Sequence, residues 1–397
     1  MFVLVVAPLL TLAACPEPKE FDGLIAVYQN PHRLDLIPGR ARDAGAPAAS
    51  AAARPARAHV MKSGEGLGGP SASGRAGDYI LENDEVVFVI AQLDPGASAE
   101  KRGGAIVDAA DARVRKDEIG RVETSLGPAH VLVYDALTVG QDESGGAWAS
   151  VRGHDRDDPR LAIVTRYALN APDRALLITT TLTNGSDVAI DALTLGDRIE
   201  WGGAHRFAPG MSVGFVGASH SEYLGGIGQA ASYGITSTED TIDATSVDTR
   251  SDTSIASHAT IAAGASLSYA RVLVVGLRGD VASVVAEIRH AMGADLGALE
   301  ISLVDETGHA VTADASSKVV LSLPGGGGAV LSIRAGSAPP FGGEVPPGTY
   351  VASYAAGGGR LARGANPTVV VKANEVATVT LTVGLPGARE CEAGAPF

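Results

Sequence analysis

Short apolar runs with polar residues at alternate positions recur from about residue 61 to 278, the period of strands that bury one face. Tyr79-Ile80-Leu81-Glu82 and Val86-Val87-Phe88-Val89-Ile90 flank an Asn83-Asp84 turn signal, which predicts a hairpin. Over residues 176–182 apolar side chains fall at 176, 178 and 182, and Asn184-Gly185 then precedes a second run at 188–195. Asn-Gly suits the positive φ angles of a type I′ turn, so a second hairpin is expected there. Further strands are expected at 131–134, 161–167, 260–263 and 268–275. After Asp280 the period changes: Val281, Val284, Val285, Ile288 and Met292 keep helical spacing, which predicts one helix with Asp280 as its N-cap. Period two returns from Leu299 to Val383, with turn chemistry at Asp305-Glu306-Thr307-Gly308, at residues 325–328 and at Pro346-Pro347-Gly348.

Composition supports the same picture. The 397 residues include 50 Gly and 21 Pro, which suits many strands joined by tight turns, and the length exceeds that of a single ordinary core. The expected fold class is all-β: a large β-sandwich over 61–278, a linking helix over 279–296, a small β-sandwich over 297–385 and a tail over 386–397. A net charge of -14 repels phosphate backbones and anionic headgroups, so no nucleic-acid partner is expected. Only Cys15 and Cys391 are present, too few for a disulfide framework.

Residues 1–14 are apolar and lack Lys and Arg, and Pro16, Glu17 and Pro18 end the run before it could cross a bilayer. The sequence Leu12-Ala13-Ala14-Cys15 resembles the lipobox of bacterial lipoproteins; an ordinary cleaved signal and a simple buried segment are the alternatives. The resemblance implies a signal peptide over 1–14 and acylation of Cys15, which makes the lipid bilayer a partner. Each buried methylene contributes roughly 0.8 kcal/mol, so two or three chains anchor stably. Residues 15–60, rich in Pro and Ala, then read as a tether. Pro16 and Glu17 do not resemble the Asp-type retention signal, so the outer membrane is the expected location.

Two further resemblances concern the folded part. The unit over 297–385, with Val304-Asp305-Glu306-Thr307-Gly308 and Pro346-Pro347-Gly348-Thr349-Tyr350, resembles the carboxypeptidase regulatory-like domain, a transthyretin-type sandwich. In the larger unit Gly77-Asp78-Tyr79-Ile80, Gly103-Gly104-Ala105-Ile106-Val107-Asp108, Gly196-Asp197-Arg198-Ile199-Glu200-Trp201 and Phe207-Ala208-Pro209-Gly210 resemble the N-terminal, non-catalytic region of PHP-type metallohydrolases of the CehA/McbA group. That resemblance implies a large β-sandwich akin to the galactose-mutarotase supersandwich. The hydrolase domain of the group binds metal through His-rich motifs, whereas these residues contain no His-x-His, so neither metal nor cofactor is expected.

Motif chemistry is sparse. Gly210-Met211-Ser212-Val213-Gly214 matches G-x-S-x-G, but no helical pattern follows, and a Gly-rich chain meets the pattern by chance. Gly226-Ile227-Gly228 lacks the strand-to-helix context of a dinucleotide fingerprint. His154-Asp155-Arg156-Asp157-Asp158 lacks the Gly and distal Glu of a calcium loop and reads as a solvated loop with Arg pairing. Glu200, Trp201 and His205 form the candidate ligand site: an aromatic platform flanked by a carboxylate and an imidazole. The competing reading makes Trp201 a plug of the sandwich; Trp148, after Gly145-Gly146, has less context still. The expected function is that of a non-catalytic, lipid-anchored envelope protein that binds a glycan or an envelope partner. The alternatives are a truncated or degenerate relative of the PHP-type hydrolases, an epimerase-like or lyase-like enzyme, and a purely architectural spacer.

Overall fold

The computed structural model describes residues 54–93, 103–211, 213–238, 241–246, 251–255, 257–313, 317–325, 329–335, 340–355 and 361–384. Cys15, most of the predicted tether, Ser212 and Cys391 lie outside these residues. The described residues are all-β apart from one helix, and form a large two-sheet sandwich followed by a small one.

The first large sheet has ten strands. From one edge it runs Arg57–Val60, Tyr79–Glu82, Val86–Ile90, Ile106–Asp111, Arg121–Ser125, Ile190–Glu200, Ser251–Ile255, Ile242–Ser246 and Gly217–Ser221, with Ser257–Ile261 also paired to Ile190–Glu200. The second, of eight, runs His205–Phe207, Leu224–Ile227, Ser232–Ser237, Ser266–Gly276, Ala175–Asn184, Leu161–Leu169, Ala147–Asp155 and Leu132–Gln141. The sheet therefore begins at Arg57, inside the 15–60 segment read as tether, because Arg57–Val60 pairs antiparallel with Tyr79–Glu82.

The first predicted hairpin is present, with Tyr79 opposite Ile90. Asn83 closes it by accepting from the Glu85 and Val86 N–H groups, and its amide reaches across to the carbonyls of Asn170 and Asp173, both at 2.7 Å. The second hairpin is not. Ala175–Asn184 and Ile190–Glu200 lie in different sheets, so Asn184-Gly185 opens a crossover between them. The Asn184 side chain is buried and donates to the carbonyls of Val188 and Ile261, filling the turn from inside rather than supplying a left-handed φ.

Inward residues of the two sheets meet in one large core, with Phe88, Ile106 and Ile199 from the first and Tyr167, Ile178 and Leu273 from the second. A smaller core at the other end contains Leu126, Leu195, Ile163 and Leu182. Between them runs a polar belt. The Arg271 guanidinium bonds both oxygens of Asp197 and donates to Thr180 Oγ1 at 2.6 Å and Thr124 Oγ1 at 2.9 Å, and Thr165 bonds both threonines.

The helix Val281–Ala291 is capped by Asp280, which accepts from the Ser283 N–H. Burial works against the Asp280 charge, but Arg278 beside it and the Arg334 and Ser283 N–H groups outweigh that and hold its carboxyl below the usual range. The helix is buried almost all round; Met292, expected on its apolar stripe, forms the exposed C-cap instead, and Ala291 takes the buried position. One continuous core joins Val272 and Val274 of the second sheet, Val284 and Ile288 of the helix, and Leu299, Val319 and Ile333 beyond it. The small sandwich has two four-stranded sheets, Phe341–Val345, Gly297–Val304, Val376–Gly384, Leu361–Arg363 and Ala329–Arg334, Lys318–Ser322, Gly348–Ala355, Thr368–Val371. Gly297–Val304 and Val376–Gly384 pair in parallel.

Candidate functional site

The aspartates of the motifs described above serve as internal fasteners. Asp78 accepts from the Arg75 and Gln92 N–H groups, Asp108 from those of Ser73 and Gly74, and Asp197 pairs with Arg271. All three are buried, so each satisfies backbone or charge that would otherwise be stranded away from water.

The sequence-derived trio does not converge. Trp201 is 1% exposed and packs so tightly on Gly226 that a Cβ there would lie 2.5 Å from the indole, so it is a plug of the sandwich and offers no stacking face to a sugar. Glu200 is held on the sheet by Arg121, 2.6 Å away. Only His205 faces a cavity. That correction follows from the strand period: Ile199 and Trp201 flank Glu200, and successive residues cannot share a face. Of the acidic loop, Arg156 pairs with Asp157 and Arg160 with Asp158 at the surface, whereas Asp155 is buried against His130 at 2.5 Å. Among the described residues no three His, Cys, Asp or Glu side chains group as metal ligands. Gly226-Ile227 belongs to the strand Leu224–Ile227, with strand rather than helix following.

His205 opens into a cleft of about 1570 Å³ between the large sandwich and the small one. One wall is built on Glu118, in the segment joining Ile106–Asp111 to Arg121–Ser125. Its carboxylate accepts from the Gln229, Ala230 and Ala231 N–H groups at 2.9, 2.8 and 3.1 Å, and its carbonyl accepts from Gly203, Ala204 and Ser71. A single residue thus pins both loops of the wall. Gly228 must lack a side chain, because a Cβ there would lie 2.0 Å from Glu118 Oε2. The opposite wall is the outer face of Lys318–Ser322 and Ala329–Arg334, where burial alternates so that Lys318, Val320 and Arg334 turn away from the small core. Arg334 ties the walls together: an Nη1 proton goes to the Gln229 carbonyl and its N–H to Asp280 Oδ2 at 3.0 Å.

The cleft is cationic and apolar. Lys116, Lys318 and Arg334 line it together with His205, and Glu118 is the one carboxylate among its described lining residues. Neither lysine forms an ion pair with a described residue. Met211 and Val213 are exposed on one lip and Leu323 on the other. The sequence carried no signal for this grouping, since the lysines sit on different sandwiches and meet only through their packing.

Behind Glu118 lies Asp117, fully buried. Its Oδ1 accepts from the Ala109 N–H at 2.9 Å, while Oδ2 has no partner. Burial, with Asp108 and Glu118 nearby, pushes its carboxyl up to about 8. An unfolded Asp ionises near about 3.9, so between that pH and about 8 the folded state keeps a proton that the unfolded chain has released, and stability falls as pH rises through that window. Asp117→Asn should remove this slope. At pH 8 the variant is expected to be more stable than the parent by several kcal/mol, and near pH 4 the difference should vanish, as read from urea unfolding.

No family model matches the chain, and no curated protein does. Among solved structures it is similar to the Slr1438 protein from Synechocystis sp. PCC 6803, at 14% identity and a TM-score of 0.37, over 52% of this chain and 97% of that one. It is also similar to a putative aldose 1-epimerase from Klebsiella pneumoniae subsp. pneumoniae, at 11% identity and a TM-score of 0.34, over 60% and 86% of the two chains. A third is the alpha-galactosidase from Lactobacillus brevis, at 10% identity and a TM-score of 0.33, where 54% of this chain spans only 39% of that enzyme. The last two are named for carbohydrate chemistry. TM-scores this low leave the function of this chain to the chemistry of its own site.

Proposed function

We propose that this is a non-catalytic protein of the bacterial cell envelope, anchored through acylated Cys15, that binds an envelope partner in the cleft between its sandwiches. The partner presents carboxylates beside apolar groups. The observation that carries this reading is that Lys116 and Lys318, which form no ion pair with a described residue, line one cleft beside exposed Met211, Val213 and Leu323 in a chain of net charge -14. An acidic surface elsewhere repels anions, so a local cationic patch selects where one docks. Catalysis at His205 has little to work with, because both oxygens of Glu118, the carboxylate sharing the cleft, are committed to backbone N–H groups.

Calorimetric titration of the full chain with an acetylated peptide of alternating Glu and Val, and with its Lys/Val counterpart, tests the reading. Saturable binding of the acidic peptide alone is expected, weakened at least tenfold by Lys116→Glu combined with Lys318→Glu. Equal binding of both peptides, or of neither, would remove the cleft as the site.

A further inference from the structure

The outer face of the second large sheet is covered by the helix and the small sandwich only on one side. On the other side the strands Leu132–Gln141, Ala147–Asp155, Leu161–Leu169 and Ala175–Asn184 turn half-exposed or exposed side chains outward. Trp148 lies flat on this face. A Cβ on Gly140, its cross-strand partner, would sit 2.6 Å from the indole Cζ2, so the glycine leaves the space in which the ring rests. The Arg166 guanidinium stands over that ring at 5.1 Å from its centroid. Arg152, four residues along the strand from Trp148 and so about 13 Å away, is also exposed.

Hydroxyls fill the space between. Ser150 stands opposite both Thr138 and Arg166, and Arg166 stands opposite Thr179, with Thr181 and Ser268 bonded to each other at 2.7 Å farther along. Two carboxylates lie at the margins and are engaged: Asp135 by His154 at 2.9 Å, and Asp142 by Ser144 and the Gly146 N–H, both at 2.7 Å, with the Arg166 charge also acting on Asp142.

An indole face, two guanidiniums and a field of hydroxyls match one ligand chemistry, a sugar chain that carries carboxylates. We propose that this face binds an acidic oligosaccharide. Trp148 takes the apolar face of a sugar ring after Arg166 swings aside to meet a carboxylate, Arg152 takes a second carboxylate, and the Ser and Thr hydroxyls pair with sugar hydroxyls. Guanidinium forks favour carboxylates in bidentate geometry, which a neutral sugar cannot match. This site is separate from the cleft, which takes His205 and Ile227 from strands at the opposite edge of the same sheet.

The test is calorimetric titration of the full chain in lipid nanodiscs with hexagalacturonate and with neutral maltohexaose. Saturable binding of hexagalacturonate is expected, at least tenfold tighter than maltohexaose, with a tenfold or greater loss in Arg166→Ala and in Arg152→Glu. Both arginines are exposed, so these variants should unfold at the parent's temperature, and Lys372→Glu, exposed on the small sandwich, should bind as the parent does. Absence of saturable binding, equal affinity for the neutral sugar, or a loss in Lys372→Glu with none in Arg152→Glu would overturn the proposal.

Discussion

Replacing Arg174 by Met is expected to cost about 3–5 kcal/mol of stability, enough to unfold much of the population of an ordinary domain. The Arg174 side chain is wholly buried and meets three carboxylates: Glu85 at 3.0 Å, Asp111 at 2.9 Å and Glu287 at 3.5 Å. It also donates to the carbonyls of Val275 and Gly276. Those partners belong to the first hairpin, the next strand, the helix and the second sheet, so one guanidinium fastens four elements. Met fills the stem but removes the buried cation that these carboxylates share, while Glu85 keeps the exposed Arg113, and the charge left behind is the larger part of the cost. Arg174→Lys should recover only part, because an ammonium cannot reproduce the fork. Urea unfolding followed by circular dichroism reads the difference. A loss below about 1 kcal/mol would show that the carboxylates are neutral or hydrated in the folded protein.

The second large effect concerns the polar belt. Arg271→Met should cost about 3–5 kcal/mol, since it leaves the Asp197 carboxylate, 1% exposed, between two apolar cores. Adding Asp197→Leu should restore most of that loss, because a buried ion pair replaced by apolar groups of similar volume is often neutral or better. Thr124, Thr165 and Thr180 keep their mutual hydrogen bonds in the double variant. Losses that simply add would mean that the two residues do not act as a pair.

The same belt shows why part of the fold escaped the sequence. Strand period two was legible where apolar residues alternate cleanly, as along Leu161–Leu169, and the hairpin at Asn83 and the helix after Asp280 followed from local chemistry alone. Along the belt the inward positions are Thr124, Thr165, Thr180, Asp197 and Arg271, residue types that ordinarily mark the wet face. Only their meeting across two sheets reveals that they satisfy one another. Asn184-Gly185 failed for a related reason, since the same dipeptide that makes a tight hairpin can cap a crossover when the amide finds buried carbonyls.

The candidate site was less legible than the fold. His205 reaches a cavity, but Glu200 and Trp201 beside it belong to the sheet and the core. Lys116 and Lys318 carry no local pattern and acquire meaning only when the two sandwiches close on each other. Trp148 had no context in its own segment because its context is supplied by neighbouring strands, Gly140 on one side and Arg166 on the other.

The most direct measurement of the central claim is photo-crosslinking in intact cells of the full chain carrying Leu323→p-benzoylphenylalanine on the lip of the cleft. One discrete adduct with an envelope component is expected, lost when Lys116→Glu and Lys318→Glu are added. An adduct that survives both charge reversals, or none at all, would contradict it.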